Sequence, residues 1–264
     1  MEYQPLNRLR FQVHLTDQCN LNCIGCNHFS PLAKEFYLDK NAFEKDCKRI
    51  FELTNGNVSE VALLGGEPLL HPNIFPIIEI AAKYFYKSDI AIITNGILLL
   101  KQTDYFWEIC NKSKVRILIT EYPINISFTQ IKQIAEKYNV TLNYAINRVS
   151  AIKTMECIPL DISGKQDGVQ SFKQCYKANN CITLKNSKLY TCCTVPFAND
   201  FIDYFKVDMK VSESDGIDIF EATNLDEILH FLSQPIPFCK YCNIKGTRTG
   251  MEWSISKKKI SEWT

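Results

Sequence analysis

Long apolar runs are missing from this chain of 264 residues. The longest candidates, Ile90-Ala-Ile-Ile93 and Ile97-Leu-Leu-Leu100, are separated by Thr94-Asn95-Gly96 and fall far short of the roughly 20 residues a membrane-spanning helix needs. Charge of one sign is missing as well: 30 Lys and Arg stand against 29 Asp and Glu, a net +1. Without a basic stripe, a nucleic-acid partner is not implied. The opening residues Met1-Glu-Tyr-Gln-Pro5 lack the charged-then-apolar pattern of a secretory signal. No internal repeat or low-complexity segment stands out. These absences predict a cytoplasmic protein that engages neither membrane nor nucleic acid. At 46% hydrophobic, the chain can bury one sizeable core and a small appended unit.

Cysteine is plentiful, with 12 in the chain. In a reducing compartment such a number points to metal ligands rather than disulfides. Cys19, Cys23 and Cys26 are spaced CxxxCxxC directly after a strand-like segment, 10–15. Three thiolates on one loop can hold three irons of a [4Fe–4S] cube and leave the fourth open, whereas most clusters take four cysteines. An open iron fits a redox enzyme better than an electron carrier. A zinc site would need a fourth ligand, which His28 could supply. A second motif, Leu63-Leu-Gly-Gly-Glu-Pro68, follows another apolar strand. Gly65 and Gly66 let the backbone approach a ligand closely, and Pro68 keeps Glu67 extended and ends the strand.

Strand patterns at 10–15, 59–64, 89–94, 115–120 and 140–146 alternate with helical spacing at 39–53, 73–86, 103–110 and 128–138. That rhythm predicts a parallel α/β sheet, a partial (β/α)6 TIM-like barrel. The sixth strand is not evident, and 149–174 reads as a connector. Chemistry in such barrels gathers at the C-terminal strand ends, where Thr94-Asn95-Gly96 and Thr120-Glu121 fall. Arg148 follows the fifth strand. Residues 1–160 are therefore read as the barrel core and 161–264 as a connector with a small hairpin-plus-helix domain. The hairpin runs from Cys181 to Cys192 with its turn at Asn186-Ser187, and a helix covers 223–233. Lys257-Lys-Lys259 reads as a solvated tail, and Cys47, Cys110 and Cys157 as small apolar residues.

In order and placement, CxxxCxxC and GGEP resemble the signature of the radical S-adenosylmethionine (radical SAM) superfamily. The resemblance implies a SAM-binding [4Fe–4S] cluster on Cys19, Cys23 and Cys26, whose open iron chelates the amino and carboxylate groups of S-adenosylmethionine. Reductive cleavage then yields a 5′-deoxyadenosyl radical that abstracts hydrogen from a substrate; the hard chemistry is the cofactor's. It further implies that Gly65, Gly66, Glu67 and Pro68 form the element receiving the methionine ammonium. Thr94 and Asn95 are expected on the ribose or carboxylate, and Glu121 on the ribose or the substrate. Gly25 stands where the family often carries an aromatic, so Phe29 or His28 is expected to contact the adenine instead. His28 is also a candidate acid–base group. Arg148, which stays protonated, is a candidate for binding substrate rather than deprotonating it.

The distal cysteines resemble a twitch domain, the shortened SPASM extension with one auxiliary [4Fe–4S] cluster. Cys239 and Cys242 match its final CxxC. Before the hairpin Cys175 is preferred to Cys181, because the first hairpin strand then stays intact; after it, Cys192 and Cys193 are both open. Ser187, next to Asn186, replaces the usual hairpin glycine, and a four-cysteine zinc site has compatible spacing. The layout resembles the small aminocyclitol dehydrogenases. It implies two-electron alcohol oxidation of a small-molecule substrate (a sugar, cyclitol or similar) and an electron donor such as flavodoxin or ferredoxin. The alternatives are an epimerase, and a ribosomal-peptide modifier, which the nine residues before the first strand disfavour. An iron–sulfur carrier or zinc scaffold has no use for GGEP.

Overall fold

In β1 (Leu9–His14), buried Leu9, Phe11 and Val13 alternate with half-buried Arg10 and Gln12, as a strand with a core on one face requires. The computed structural model describes residues 7–145 and 154–264. After β1 come α1 (Lys40–Thr54), β2 (Val58–Leu64), α2 (Phe75–Tyr84), β3 (Asp89–Thr94), α3 (Asp104–Lys112), β4 (Arg116–Thr120), α4 (Phe128–Lys137) and β5 (Leu142–Ala145). All five strands pair in parallel in the order β5-β4-β3-β2-β1. Expected strands and helices fall close to observed ones because local signals agree with the fold. Asp39 caps α1 by accepting from the Asn41 and Ala42 N–H groups. Phe43, Cys47 and Ile50 form its buried stripe, and Asn55 ends it in the left-handed conformation.

The second half contains β6 (Thr154–Cys157), α5 (Gly168–Gln174), β7 (Thr183–Lys185), β8 (Lys188–Tyr190), α6 (Ala198–Phe205), β9 (Ile217–Asp218), α7 (Leu225–Leu232) and β10 (Arg248–Glu252). The β7–β8 hairpin turns at Asn186 and Ser187, with φ of 50° and 60°, the positive values that a type I′ turn uses. The expected connector therefore holds β6 and α5. The sheet grows at the edge opposite β5: β7 pairs in parallel with β1, Gln12 facing Thr183, and β8 and β9 follow in antiparallel. β6 pairs instead with β10, and among the described residues no sixth barrel strand closes the main sheet.

The main core includes Ile182, Leu184, Leu189, Ile219, Ile228 and Leu232 beside the barrel residues, so it draws on both sides of residue 160. A second core gathers Phe29, Leu160, Phe197, Phe201, Phe238 and Trp263. Cys47 and Cys110 are buried in the main core as small apolar residues, whereas the buried Cys157 thiol donates to the Glu262 carbonyl at 3.8 Å. Among the described residues no helix is long and apolar enough to cross a membrane.

Candidate active site

The C-terminal ends of β1 through β4 converge on one cavity of about 230 Å³. Cys19, Cys23 and Cys26 line it from the loop after β1; Gly65 and Gly66 line it from the end of β2. Thr94, Asn95, Thr120 and Tyr122 complete the strand ends, and His28 adds a wall from the cysteine loop. The loop turns tightly, with Asn22, Gly25 and Phe29 all at positive φ.

Two close contacts fix this loop against β2. The Gly66 N–H donates to the Thr16 carbonyl at 2.9 Å, and the Glu67 N–H to the Gln18 carbonyl at 2.8 Å. A Cβ on Gly65 would sit 2.3 Å from the Thr16 oxygen, and one on Gly66 would sit 2.2 Å from the Gln18 oxygen. Only glycine permits that approach. The glycine pair thus brings two backbones together as well as leaving the cavity wall bare.

Glu67 has a role different from the expected one. Its carboxylate is fully buried and accepts from Thr94 Oγ1 at 2.6 Å, the Asn95 N–H at 2.9 Å and the Leu69 N–H at 3.2 Å. Burial raises its pKa, against the pull of those three donors. It ties the end of β2 to the end of β3 and is not part of the cavity lining. Pro68, buried in the following 3-10 turn, is likewise behind the wall. Asn95 extends the brace by donating from Nδ2 to Asn20 Oδ1 at 2.7 Å. The cysteine loop, GGEP and Thr94-Asn95 therefore form one hydrogen-bonded unit.

Phe29 does not reach the cavity. It is 1% exposed and packs near Phe201 and Trp263 in the second core. Its left-handed backbone starts a 3-10 turn that carries the ring inward. Glu121 lies between two lining residues, Thr120 and Tyr122, without lining the cavity itself. Arg148 lies outside the described residues. His28 does face the cavity, and burial, followed by the nearby His14, lowers its pKa.

Sequence reasoning missed a polar group behind His28. His14, 2% exposed, donates from Nδ1 to Asp17 Oδ1 at 2.9 Å, and Lys185 Nζ donates to Asp17 Oδ2 at 2.8 Å. The His14 ring stacks on Phe197 at 3.8 Å and meets His28 edge-on at 4.5 Å. Only proximity in the fold links these residues. Tyr122 and Trp253 were missed for the same reason. Trp253 Nε1 donates to Cys23 Sγ at 3.0 Å, and its ring stands edge-on to Tyr122 at 5.8 Å. The expected solvated tail is folded back: the Lys257 and Lys259 N–H groups donate to the buried Glu262 carboxylate.

A second, smaller pocket is lined by Cys175, Cys192, Cys239 and Cys242, with Phe172 and Phe238 among its apolar walls. Cys175 ends α5, Cys192 follows the hairpin, and Cys239 and Cys242 lie in and just after a 3-10 turn, 237–241. The alternatives Cys181 and Cys193 are not in this lining; they hydrogen-bond each other, and Cys193 also meets His28. Between the two cysteine groups lies Lys177, 3% exposed, donating to Asn27 Oδ1 at 2.7 Å. Burial opposes its charge, but the sulfurs of Cys193, Cys192 and Cys242 outweigh that and raise its pKa.

Burial pushes the Cys19, Cys192 and Cys239 thiols up to about 12, and raises Cys26, Cys175 and Cys242 as well. Buried thiols of this kind ionise only where a cation compensates, which is the situation a metal cluster creates. Among the described residues no three His, Cys, Asp or Glu side chains converge to hold a metal ion; a cube spreads its thiolates wider than one ion does. Three thiols and two bare glycines on one cavity fit an open [4Fe–4S] cluster with a small zwitterionic ligand beside it.

Residues 13–119 match the model of the radical SAM superfamily. The GTP 3′,8-cyclase of Clostridium acetobutylicum is 41% identical over 92 residues, covering 33% of this chain and 27% of that protein. The GTP 3′,8-cyclase of Aquifex aeolicus is 37% identical over 100 residues, 36% of this chain and 30% of that protein. The chain thus spans less than a third of these relatives. Among solved structures, BtrN in complex with AdoMet and 2-DOIA superposes with a TM-score of 0.54 at 16% identity, over 90% of this chain and 94% of that one. That likeness is one of fold, and it extends across both halves. The match to the radical SAM superfamily thus takes in the cysteine loop, the GGEP turn and the strands that bring them together, all within residues 13–119.

Proposed function

We propose that the chain is a radical SAM oxidoreductase acting on an alcohol of a small polar substrate, a sugar or cyclitol. Cys175, Cys192, Cys239 and Cys242 would hold a second [4Fe–4S] cluster, which would supply an acceptor for one of the two electrons removed. The observation that carries this reading is the second pocket, where four thiols from three separate segments share one apolar enclosure. An electron leaving a substrate radical needs an acceptor, and this quartet is suited to hold one.

When bound, the first cluster and S-adenosylmethionine supply the 5′-deoxyadenosyl radical that takes a hydrogen atom from the substrate carbon. The remaining tasks fall to the chain. Cys19, Cys23 and Cys26 hold three irons, while the bare backbone of Gly65 and Gly66 admits the methionine end. Thr94 and Asn95 present polar groups to the nucleoside, and Glu67 holds both elements in place from behind. Oxidation to a ketone also releases the hydroxyl proton, and His28, which lines the cavity, accepts it. Arg148 orients the substrate. A flavodoxin- or ferredoxin-type donor would supply the electron for a cluster held by Cys19, Cys23 and Cys26. The named cyclases match over a stretch no longer than the superfamily domain, so their reaction is not carried over.

Anaerobic reconstitution tests the reading. The full chain should bind about eight irons, and a Cys239→Ala, Cys242→Ala variant about four. With S-adenosylmethionine and a reductant, both should release 5′-deoxyadenosine, while only the full chain turns a polyol into its ketone, using one S-adenosylmethionine per turnover. Zinc in the second site, or ketone formation by the variant, would remove the auxiliary cluster from the mechanism.

A further inference from the structure

The segment 253–264 lies over the cysteine loop as a strap. The Ile24 N–H donates to the Ser254 carbonyl at 2.9 Å, and the Ser256 N–H to the Asn22 carbonyl at 2.8 Å, forming a bridge between Cys23 and Ile255. Further along, Trp263 Nε1 donates to the Cys26 carbonyl at 2.9 Å, with the ring 2% exposed in the second core. The strap also fits the gap at Gly25. A Cβ there would lie 3.2 Å from the Glu262 carbonyl and 3.5 Å from both Cys157 and the Met251 methyl. The small residue at position 25 makes room for the strap.

Trp253 is the side chain that this strap delivers to a thiol. Its indole N–H is 3.0 Å from Cys23 Sγ, and the Tyr122 hydroxyl also hydrogen-bonds that sulfur. An indole N–H can only donate, so Cys23 Sγ is the acceptor. Hydrogen bonds to cluster sulfurs stabilise the more negative, reduced state and raise the reduction potential. We propose that Trp253 is a positioning residue whose N–H, donated to the Cys23 ligand sulfur, sets the reduction potential of the first cluster while the strap holds it in place. This rests on the reading of Cys19, Cys23 and Cys26 as cluster ligands.

The test uses the full chain, reconstituted anaerobically in the Cys239→Ala, Cys242→Ala background so that only the first cluster contributes. Trp253→Phe keeps the ring and removes the donor. The expected result is full iron content with a more negative midpoint potential in an EPR-monitored titration, and a further negative shift when Tyr122→Phe is added. An unchanged potential at full iron content overturns the role of Trp253. If Trp253→Phe fails to retain iron, Trp253→His restores a ring N–H: recovered iron and potential support the donor, and failure of both variants assigns Trp253 to packing alone and overturns the proposal. Absence of iron in the parent protein would instead sink the cluster reading beneath it.

Discussion

Glu67 concentrates three hydrogen bonds on one buried carboxylate, and its removal leaves the Thr94 O–H and the Asn95 N–H without that acceptor. Glu67→Ala should therefore cost on the order of 3 kcal/mol in thermal or denaturant unfolding, and lower iron retention, because the brace reaches the cysteine loop through Asn95. Asp161 permits a pH prediction. It accepts from the Ser163 hydroxyl at 2.6 Å and from Gln166 at 2.9 Å, which lowers its pKa to about 2. A carboxylate with a depressed folded-state pKa contributes stability above its ordinary range near pH 4 and loses it as pH falls toward 2. The group is exposed to solvent, so the contribution should stay below ~1 kcal/mol. The stability gap between the protein and Asp161→Asn should be present at pH 6 and shrink at pH 2.5 in matched unfolding curves. At this scale the cysteine triad and the glycine pair were legible, since their spacing is itself the chemistry. Glu67's inward turn was not, because a motif gives the residue without the direction of its side chain. Phe29 was misread for a related reason: its left-handed backbone turns the ring into the second core.

The element scale explains why the strand ends, rather than single residues, build the cavity. Each of β1 to β4 stops where its next residues can turn over the sheet, and the Thr16–Gln18 stretch pairs with the turn after β2. Gly66→Ala should force that pairing apart, since its Cβ would meet backbone atoms at 2.2 Å and 2.4 Å that cannot rotate away. A loss of at least ~2 kcal/mol in stability is expected, together with reduced cluster loading read from iron analysis. The five parallel strands were legible from their Val, Ile and Leu runs, because buried parallel strands leave that pattern. β6 and β10 were not, as each has mixed polarity and gains its place only by pairing with the other across some ninety residues of chain. Local propensity contains no record of such a partner. Cys175 and Cys192 line the second pocket while Cys181 and Cys193 do not, a difference set by how the chain turns after α5 and β8 that spacing alone does not record.

On the scale of the whole molecule, the second core couples the N-terminal cysteine loop to the last residues of the chain. Phe29, Phe201 and Trp263 belong to that core, and the Trp263 indole also holds the Cys26 carbonyl. Trp263→Ala should destabilise the protein by roughly 3–5 kcal/mol, as expected for a buried tryptophan. It should also speed bleaching of the reconstituted protein in air, followed by its visible absorbance. A Trp263→Phe variant, which keeps much of the packing, should fall between the two. Bleaching at the parent rate in Trp263→Ala would show that the strap does not protect the loop.

The parallel pairing of β1 with β7 has a consequence for how the molecule is made. Gln12 donates to Thr183 across 171 positions of sequence, so a ribosome must deliver most of the chain before β1 acquires its second neighbour. At ordinary synthesis rates, on the order of ten residues per second, one edge of β1 stays open for roughly 10–30 s. An unpaired strand edge is a template for association with other chains, and pairings this distant in sequence form slowly. The nascent sheet therefore passes through an interval in which its cysteine loop is already synthesised, the strap that holds it is not, and the neighbouring strand edge is still bare, making this the period when chaperone cover matters most.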